Sequence, residues 1–232
     1  MKSGHTICIN LPTESRGRTP QLLKKMGFVP AGRDILGQRL MSDGTVLLRL
    51  DEEYEYGAGI LYYSEEMIAD RPPGKNLRDE EESEWSQEWQ SPEGVSFILL
   101  KASPNEIPKA ESVQGTPYGT FYEVSLMTTD FQASIEWWQK AGFRLTYGNP
   151  ETSSFVTLSD DLIRIGLYRP GSCPHIFNNP AITYFDSNMA EKIVAARESG
   201  ISFAQEITNK ENVVSDVIVE TEEGWHIFLF SA

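Results

Sequence analysis

The chain has 232 residues, of which 40% are hydrophobic, and its 34 acidic and 20 basic residues give a net charge of −14. This composition suffices for one large core or for two cores of about 100–120 residues each. The acidic balance disfavours nucleic-acid binding, which needs a basic face to replace counterions. Because no apolar run approaches the ~18 residues of a membrane span and the N-terminus lacks a signal-peptide core, we expect a cytoplasmic protein with no membrane partner.

The first hundred residues predict one helix and several strands. Apolar patterning predicts strands at 6–11, 28–34, 37–41, 45–50 and 59–63, and Pro20 favours a helix over 19–26. The segment 71–92 is too polar for a core and predicts a solvated loop or short helix, with Trp85 and Trp89 anchoring a degraded strand. A strand at 95–101 then precedes a linker rich in proline and glycine.

The second half of the chain is more regular. Residues 121–127 alternate as a strand with one buried and one functional face. Asp130 is a predicted N-cap, and an apolar stripe of helical period follows it until Gly142 ends the helix. Trp137 and Trp138 are adjacent on this helix, so one is assigned to the core and the other to an interface or pocket rim. Further strands are predicted at 144–147, 154–158, 162–168, 181–185, 204–208, 213–220 and 225–231, and Asn188 and Glu191 predict a capping box for a second helix.

Three ordered matches indicate an internal duplication. The sequence KKMGF at 24–28 parallels QKAGF at 139–143, SDG at 42–44 parallels SDD at 159–161, and SPEG at 91–94 parallels TEEG at 221–224. The offsets grow along the chain, from 115 (139 minus 24) to 117 (159 minus 42) and 130 (221 minus 91), so the first copy has lost residues late on. We predict an α+β fold with domains at 1–103 and 119–232 joined by a linker at 104–118.

The strand, capped helix and Ala-Gly-Phe turn over 121–143 resemble the opening of a βαβββ module of the glyoxalase / bleomycin-resistance / extradiol-dioxygenase superfamily, whose fold is the vicinal oxygen chelate fold. The resemblance implies two tandem glyoxalase-like domains. Each is made of two βαβββ modules forming a cup-shaped sheet, and the second module of the first domain is degraded. In enzymes of this superfamily, His, Glu or Gln side chains on the first and last strands of paired modules hold a metal.

Carried over to this chain, those metal positions contain few ligand side chains. In the second domain they fall on Glu123, Gly166, either Ala181 or Thr183, and Phe228. In the first domain they fall on Cys8, Arg49 and Ile98, and an arginine repels a metal ion. We therefore predict that both cups lack a metal and any other cofactor.

Strand alternation predicts the lining of the second cup. The predicted ligand-binding residues are Glu123, Ser125, Met127, Arg164, Tyr168, Thr183, Phe185, His226, Phe228 and Phe230. A few polar groups among aromatic walls are typical of a small-molecule pocket. Glu123 and Arg164 form either a substrate clamp or an internal ion pair, and His226 is either a general base or a core residue.

The two cysteines do not predict a reactive centre. Cys8 and Cys173 lack zinc-site spacing and are expected to be buried thiols. His175 lies two residues after Cys173 in a proline-bounded loop, where such close neighbours seldom hold the geometry of a catalytic dyad.

Three functions follow as hypotheses, and none assigns a catalytic residue. The leading one is a metal-free small-molecule-binding protein of the glyoxalase / bleomycin-resistance type, whose organic ligand is cationic or aromatic. The alternative is a metal-dependent lyase, isomerase or dioxygenase of the same superfamily, with Glu123 and His226 as ligands. The second alternative is a structural or partner-binding protein that docks through Trp85 and Trp89. Tandem domains leave both a monomer and a homodimer open.

Overall fold

The computed structural model describes residues 6–14, 17–65, 72–78, 84–103, 105–106 and 116–232. The predicted linker lies largely outside these residues, so the domain boundaries remain a prediction. The elements of the first half (residues 6–103) are β1 (Thr6–Pro12), α1 (Thr19–Lys25), β2 (Val29–Arg33), β3 (Arg39–Ser42), β4 (Leu47–Asp51), β5 (Gly59–Ser64), β6 (Ser86–Gln90) and β7 (Ser96–Lys101). Those of the second half (residues 116–232) are β8 (Thr120–Met127), α2 (Phe131–Lys140), β9 (Arg144–Tyr147), β10 (Phe155–Ser159), β11 (Arg164–Tyr168), β12 (Ala181–Asp186), α3 (Met189–Glu198), β13 (Gln205–Thr208), β14 (Val214–Glu220) and β15 (His226–Ser231).

Each half forms one mixed sheet, which confirms the predicted α+β class. The first sheet has the order β2-β3-β4-β1-β5-β7-β6, and the second has the order β13-β14-β15-β12-β8-β11-β10-β9. The second half therefore contains two βαβββ modules, which pair with each other through β8 and β12. In the first half, β1 to β4 complete one module, whereas β5, β6 and β7 are the described strands of the other.

Strand pairing gives the two halves the same register. Cys8 pairs with Leu61, and Leu61 with Ile98; in the second half Glu123 pairs with Thr183, and Thr183 with Phe228. Arg49 lies beside Asn10 as Gly166 lies beside Ser125. Of the two alternatives on β12, Thr183 is thus the residue opposite Glu123. The faces that carry these rows are called the first cup and the second cup below.

The opposite faces of the two sheets share one hydrophobic core. The buried residues of this core come from both halves, including Ile9 and Leu48 in the first and Val124 and Ile165 in the second. Two equivalent hydrogen bonds cross between the halves: Tyr62 donates to Asp160 and Tyr184 donates to Asp43, each over 2.7 Å. The duplication therefore produces an approximately symmetric junction, in which each half supplies one phenol and one carboxylate.

Helix α2 is buried from two sides, which corrects the expectation for its tryptophans. Trp137 and Trp138 are both buried, and both ring centroids lie within 6.4 Å of the Phe97 ring in β7. The Trp137 indole donates to the Pro73 carbonyl, and the Trp138 indole donates to Glu93. Adjacent helical positions can both be buried because this helix lies between the halves. Asp130 caps the helix as predicted, accepting from the Ala133 amide over 3.0 Å.

Two local predictions were wrong, the first of them in part. The segment predicted as a solvated loop or short helix contains the strand β6, whose residues 86–89 are buried, whereas the strand anchored by Trp89 is present, and Trp89 is only 2% exposed. Asn188 precedes α3 but makes no side-chain cap, so the predicted capping box does not form. Among the residues described, no helix is long and apolar enough to cross a membrane.

Candidate functional site

The first cup is filled by a buried ionic network. Arg49 has no exposed side-chain surface; its Nε donates to Asp34 over 2.6 Å, and Nη1 donates to Asn10 over 2.7 Å and lies 3.2 Å from Asp51. Tyr63 also donates to Asp34 over 3.1 Å. Burial raises the pKa of the Cys8 thiol to about 12, so this thiol stays protonated. Guanidinium, carboxylates and apolar side chains together occupy the space that a ligand would need.

The second cup has a different centre, built around the carboxyl group of Glu123. Its Oε1 accepts from the Tyr168 hydroxyl over 2.6 Å and from the Ser125 hydroxyl over 2.9 Å. Ser125 Oγ also lies 2.7 Å from Thr183 Oγ1. Glu123 Oε2 is buried without a hydrogen-bond partner among the described residues. Burial raises the pKa of Glu123, while the bonds from Tyr168 and Ser125 lower it.

Gly166 makes room for this carboxyl group. A Cβ atom at Gly166 would lie 2.0 Å from Glu123 Oε1 and 2.5 Å from its Cδ. Any side chain here would therefore collide with Glu123. The equivalent position in the first half carries Arg49, whose side chain fills the cup instead.

A cavity of about 320 Å³ lies above this network in the second cup. Of the ten residues predicted from strand alternation, six line it: Ser125, Tyr168, Thr183, Phe185, Phe228 and Phe230. Three of these supply hydroxyl groups and three supply phenyl rings. Its aromatic walls and few polar groups are typical of a site for a small organic molecule.

The other four predicted residues lie outside the cavity lining. Glu123 is buried beneath the hydroxyl groups, and the Met127 backbone exchanges hydrogen bonds with the Asn179 amide. No ion pair within 4.0 Å joins Arg164 to Glu123 in the described part of the chain, although the charge of Arg164 lowers the pKa of Glu123; its guanidinium lies 4.7 Å from the Tyr122 ring centroid. The internal ion pair predicted for Glu123 and Arg164 is therefore not formed there, and the substrate clamp stays a prediction.

His226 is buried at the start of β15 and contacts the loop before β12. Its Nδ1 accepts from the Asn178 amide over 3.2 Å, which requires an unprotonated Nδ1. Burial lowers the pKa of His226, so the neutral form prevails at neutral pH. This arrangement fits a residue that positions the 169–180 loop better than it fits a general base.

Six further residues line the cavity that strand alternation did not predict: Ser154, Phe155, Ser172, Cys173, His175 and Phe177. Phe155 pairs directly with Tyr168 across β10 and β11, so extending the alternation by one strand would have identified it. The loop residues carry no periodic signal. The Cys173 thiol lies 3.7 Å from Ser172 Oγ and is half-buried, not buried as predicted. His175 Nδ1 lies 3.0 Å from the Ile176 carbonyl oxygen.

The side chains of the second cup do not fit a divalent metal. Such an ion needs several nitrogen, oxygen or thiolate donors directed at one point. The four positions in question hold Glu123, Gly166, Thr183 and Phe228, of which Glu123 alone is a ligand type. Within the described ranges, no three His, Cys, Asp or Glu side chains come close enough to hold a metal ion.

Solved structures share this architecture. A xylose isomerase-like TIM barrel/4-hydroxyphenylpyruvate dioxygenase fusion protein matches with a TM-score of 0.57 and 11% identity over 97% of this chain, which spans about half (48%) of that one. A catechol 2,3-dioxygenase matches at 0.53 and 11% identity, covering 97% of this chain and 86% of that one. The chain has the vicinal oxygen chelate fold. A 2,2',3-trihydroxybiphenyl 1,2-dioxygenase from Sphingomonas wittichii strain RW1 also matches this fold, at 0.53 and 13% identity, covering 97% and 89%.

These neighbours bear on the functional hypotheses without deciding them. Their names are those of dioxygenases, and the metal-free binder is not confirmed. Identities this low show the vicinal oxygen chelate fold alone. No family model and no curated protein matches the sequence.

Proposed function

We propose that the second cup binds a small organic molecule and that its own side chains, without a resident metal, make the contacts. The observation that carries this proposal is the 320 Å³ cavity of the second cup, whose walls are aromatic and whose floor is formed by the hydroxyl groups of Ser125, Tyr168 and Thr183. The equivalent space in the first cup is filled by side chains. A cavity of this size suits a molecule of one to three rings. Glu123, beneath the cavity, is the one ligand-type side chain among the four metal positions, which supports binding through hydroxyl groups and aromatic rings instead of a metal.

The half-buried Cys173 thiol gives a direct test, because it lines the cavity and the other cysteine is buried. We expect a maleimide to modify the native protein at Cys173 and to leave Cys8 unmodified. Aromatic fragments that raise the melting temperature should slow this modification, as followed by intact-protein mass.

A matched control separates occupation of the cavity from general stabilisation. Val194 is exposed on α3, away from the cavity, so a Val194→Cys, Cys173→Ser variant carries its accessible thiol elsewhere. Labelling of that thiol should not respond to the same fragments. Equal slowing at both positions, or stabilising fragments that leave Cys173 labelling unchanged, would contradict the proposal.

A metal-dependent enzyme is the second candidate, and the dioxygenase names of the structural neighbours favour it. Elemental mass spectrometry on untagged protein purified without chelator distinguishes the two. The binder predicts no stoichiometric transition metal, before or after exposure to zinc, manganese and iron. A near-stoichiometric metal that disappears in Glu123→Ala would establish the second candidate instead.

A further inference from the structure

The floor of the cavity is formed by three hydroxyl groups that are already engaged with each other. Tyr168 and Ser125 both reach Oε1 of Glu123, and Thr183 lies within hydrogen-bond distance of Ser125. A carboxylate only accepts, so Tyr168 and Ser125 must both donate to it. Each hydroxyl has a single hydrogen, and Ser125 has used its own, so Thr183 is the donor in the Thr183–Ser125 bond.

This donor count determines what the floor offers to a ligand. All three hydroxyl hydrogens are committed to the network around Glu123, and lone pairs remain on Tyr168 and Thr183. The floor can therefore accept hydrogen bonds from a ligand but cannot donate them without breaking its own. A ligand that brings only acceptors would leave buried lone pairs facing one another, which is costly.

The electrostatics of the walls and of the region beneath the floor also favour a ligand that donates hydrogen bonds. Phe228 and Phe230 stack with centroids 4.9 Å apart, and Phe177 meets Phe228 edge to face at 5.1 Å. Aromatic faces carry negative quadrupole density, and the unpartnered Oε2 of Glu123 adds negative potential below. The unpartnered carboxylate oxygen therefore favours the positive edge of a ligand over an anion.

We propose that this cavity selects flat aromatic molecules that present an N–H donor, whether neutral or cationic, and rejects acceptor-only and anionic analogues. The inference rests on the proposed function, since it concerns the ligand of the same cavity. An aromatic N–H suits the floor better than an O–H, because a hydroxyl brings its own lone pairs towards the carboxylate. Tyr168 and Thr183 are the acceptors that determine this selectivity.

Indole and benzofuran provide a matched pair of probes, because they differ only in whether a ring N–H or a ring oxygen is present. We expect indole to bind at least about fivefold more tightly, the value of one net hydrogen bond. Naphthalene-2-carboxylate serves as the anionic probe and should bind more weakly than either. Protection of Cys173 from maleimide reports each affinity on the whole chain.

Two near-isosteric variants assign the preference to the floor. Tyr168→Phe and Thr183→Val each remove one acceptor while keeping the shape of the floor. The indole-to-benzofuran ratio should fall towards one in at least one of them, with thermal melting confirming that each variant is folded. Equal or tighter binding of benzofuran by the wild type would overturn the donor inference and leave the binding function intact. Protection by none of the three probes would contradict both.

Discussion

At the scale of single residues, the two cups differ most at one pair of equivalent positions. Arg49 fills the first cup and bonds to Asp34 and Asn10, whereas Gly166 at the equivalent place in the second leaves room for the Glu123 carboxyl group. Breaking a buried ion pair such as Arg49–Asp34 costs several kcal/mol, because it leaves an uncompensated charge. The duplicated fold has thus kept its register while one cup became part of the stable interior and the other kept a cavity.

The contact between Gly166 and Glu123 gives a sharp prediction. Gly166→Ala should destabilise the protein by ~1–3 kcal/mol, because the new methyl group overlaps the Glu123 carboxyl group. Denaturant unfolding measures the loss. Since Gly166 has no positive φ, backbone strain does not contribute.

The double variant serves as the control for this prediction. In a Glu123→Ala background the carboxyl group is gone, and Gly166→Ala should then cost less than ~0.5 kcal/mol. An equal cost in both backgrounds would show that another neighbour, not Glu123, requires glycine at this position.

At the scale of secondary-structure elements, β6 shows how a polar strand can be buried. Among the described strands it lies at the end of the first sheet and pairs with β7. Ser86 bonds to the Tyr56 hydroxyl over 2.7 Å, and Glu88 accepts from the Gly57 amide and the Ser96 hydroxyl. Each polar side chain named here has a partner, which removes the penalty that its burial would otherwise carry.

The tryptophans on either side of the start of β6 should differ sharply when truncated. Trp89→Ala should destabilise the protein by ~3–5 kcal/mol, because a fully buried indole packed on Phe97 is lost. Trp85→Ala, at 37% exposure, should cost less than ~1 kcal/mol. Similar losses in chemical denaturation would mean that Trp85 is part of the core. Partner docking was predicted through Trp85 and Trp89. Because Trp89 is buried, Trp85 is the one of these two side chains that a partner could contact.

Sequence patterning predicted the strands and their faces better than it predicted depth within the cup. The growing offset between the two copies placed Cys8 and Glu123, and Ile98 and Phe228, in equivalent rows, and strand pairing agrees. Alternation assigns a residue to a face, but it does not say how far along the strand the cavity extends. Arg164 begins its strand, His226 begins another and Met127 ends a third, and none of the three lines the cavity.

The remaining wall of the cavity could not be predicted from periodicity. Cys173, His175 and Phe177 come from the irregular connection between β11 and β12, where neither a helical nor a strand period applies. Their positions depend on tertiary contacts, such as the Asn178 amide on His226. Composition alone indicated a proline- and glycine-rich loop there and gave no reason to place it over the cup.

At the scale of the whole molecule, the two halves complete each other. Helix α2 of the second half covers Phe97 of the first, and the Tyr62–Asp160 and Tyr184–Asp43 bonds cross the junction in equivalent places. The Trp225 indole also donates to the Pro12 carbonyl. Separation of the halves would expose one apolar face on each and leave buried phenols and carboxylates without partners, so we expect them to fold as one cooperative unit.

Expression of residues 116–232 alone tests this cooperativity. The isolated half should self-associate or aggregate, because its share of the common core, including Trp137 and Trp138, would face water. Light scattering and tryptophan fluorescence report the two effects. Co-expression with residues 1–115 should restore a soluble 1:1 complex whose Cys173 labelling matches that of the intact chain. A monomeric 116–232 fragment with its own cooperative melting transition would show that each half is stable without the other, and the shared core would then only join two independent folding units.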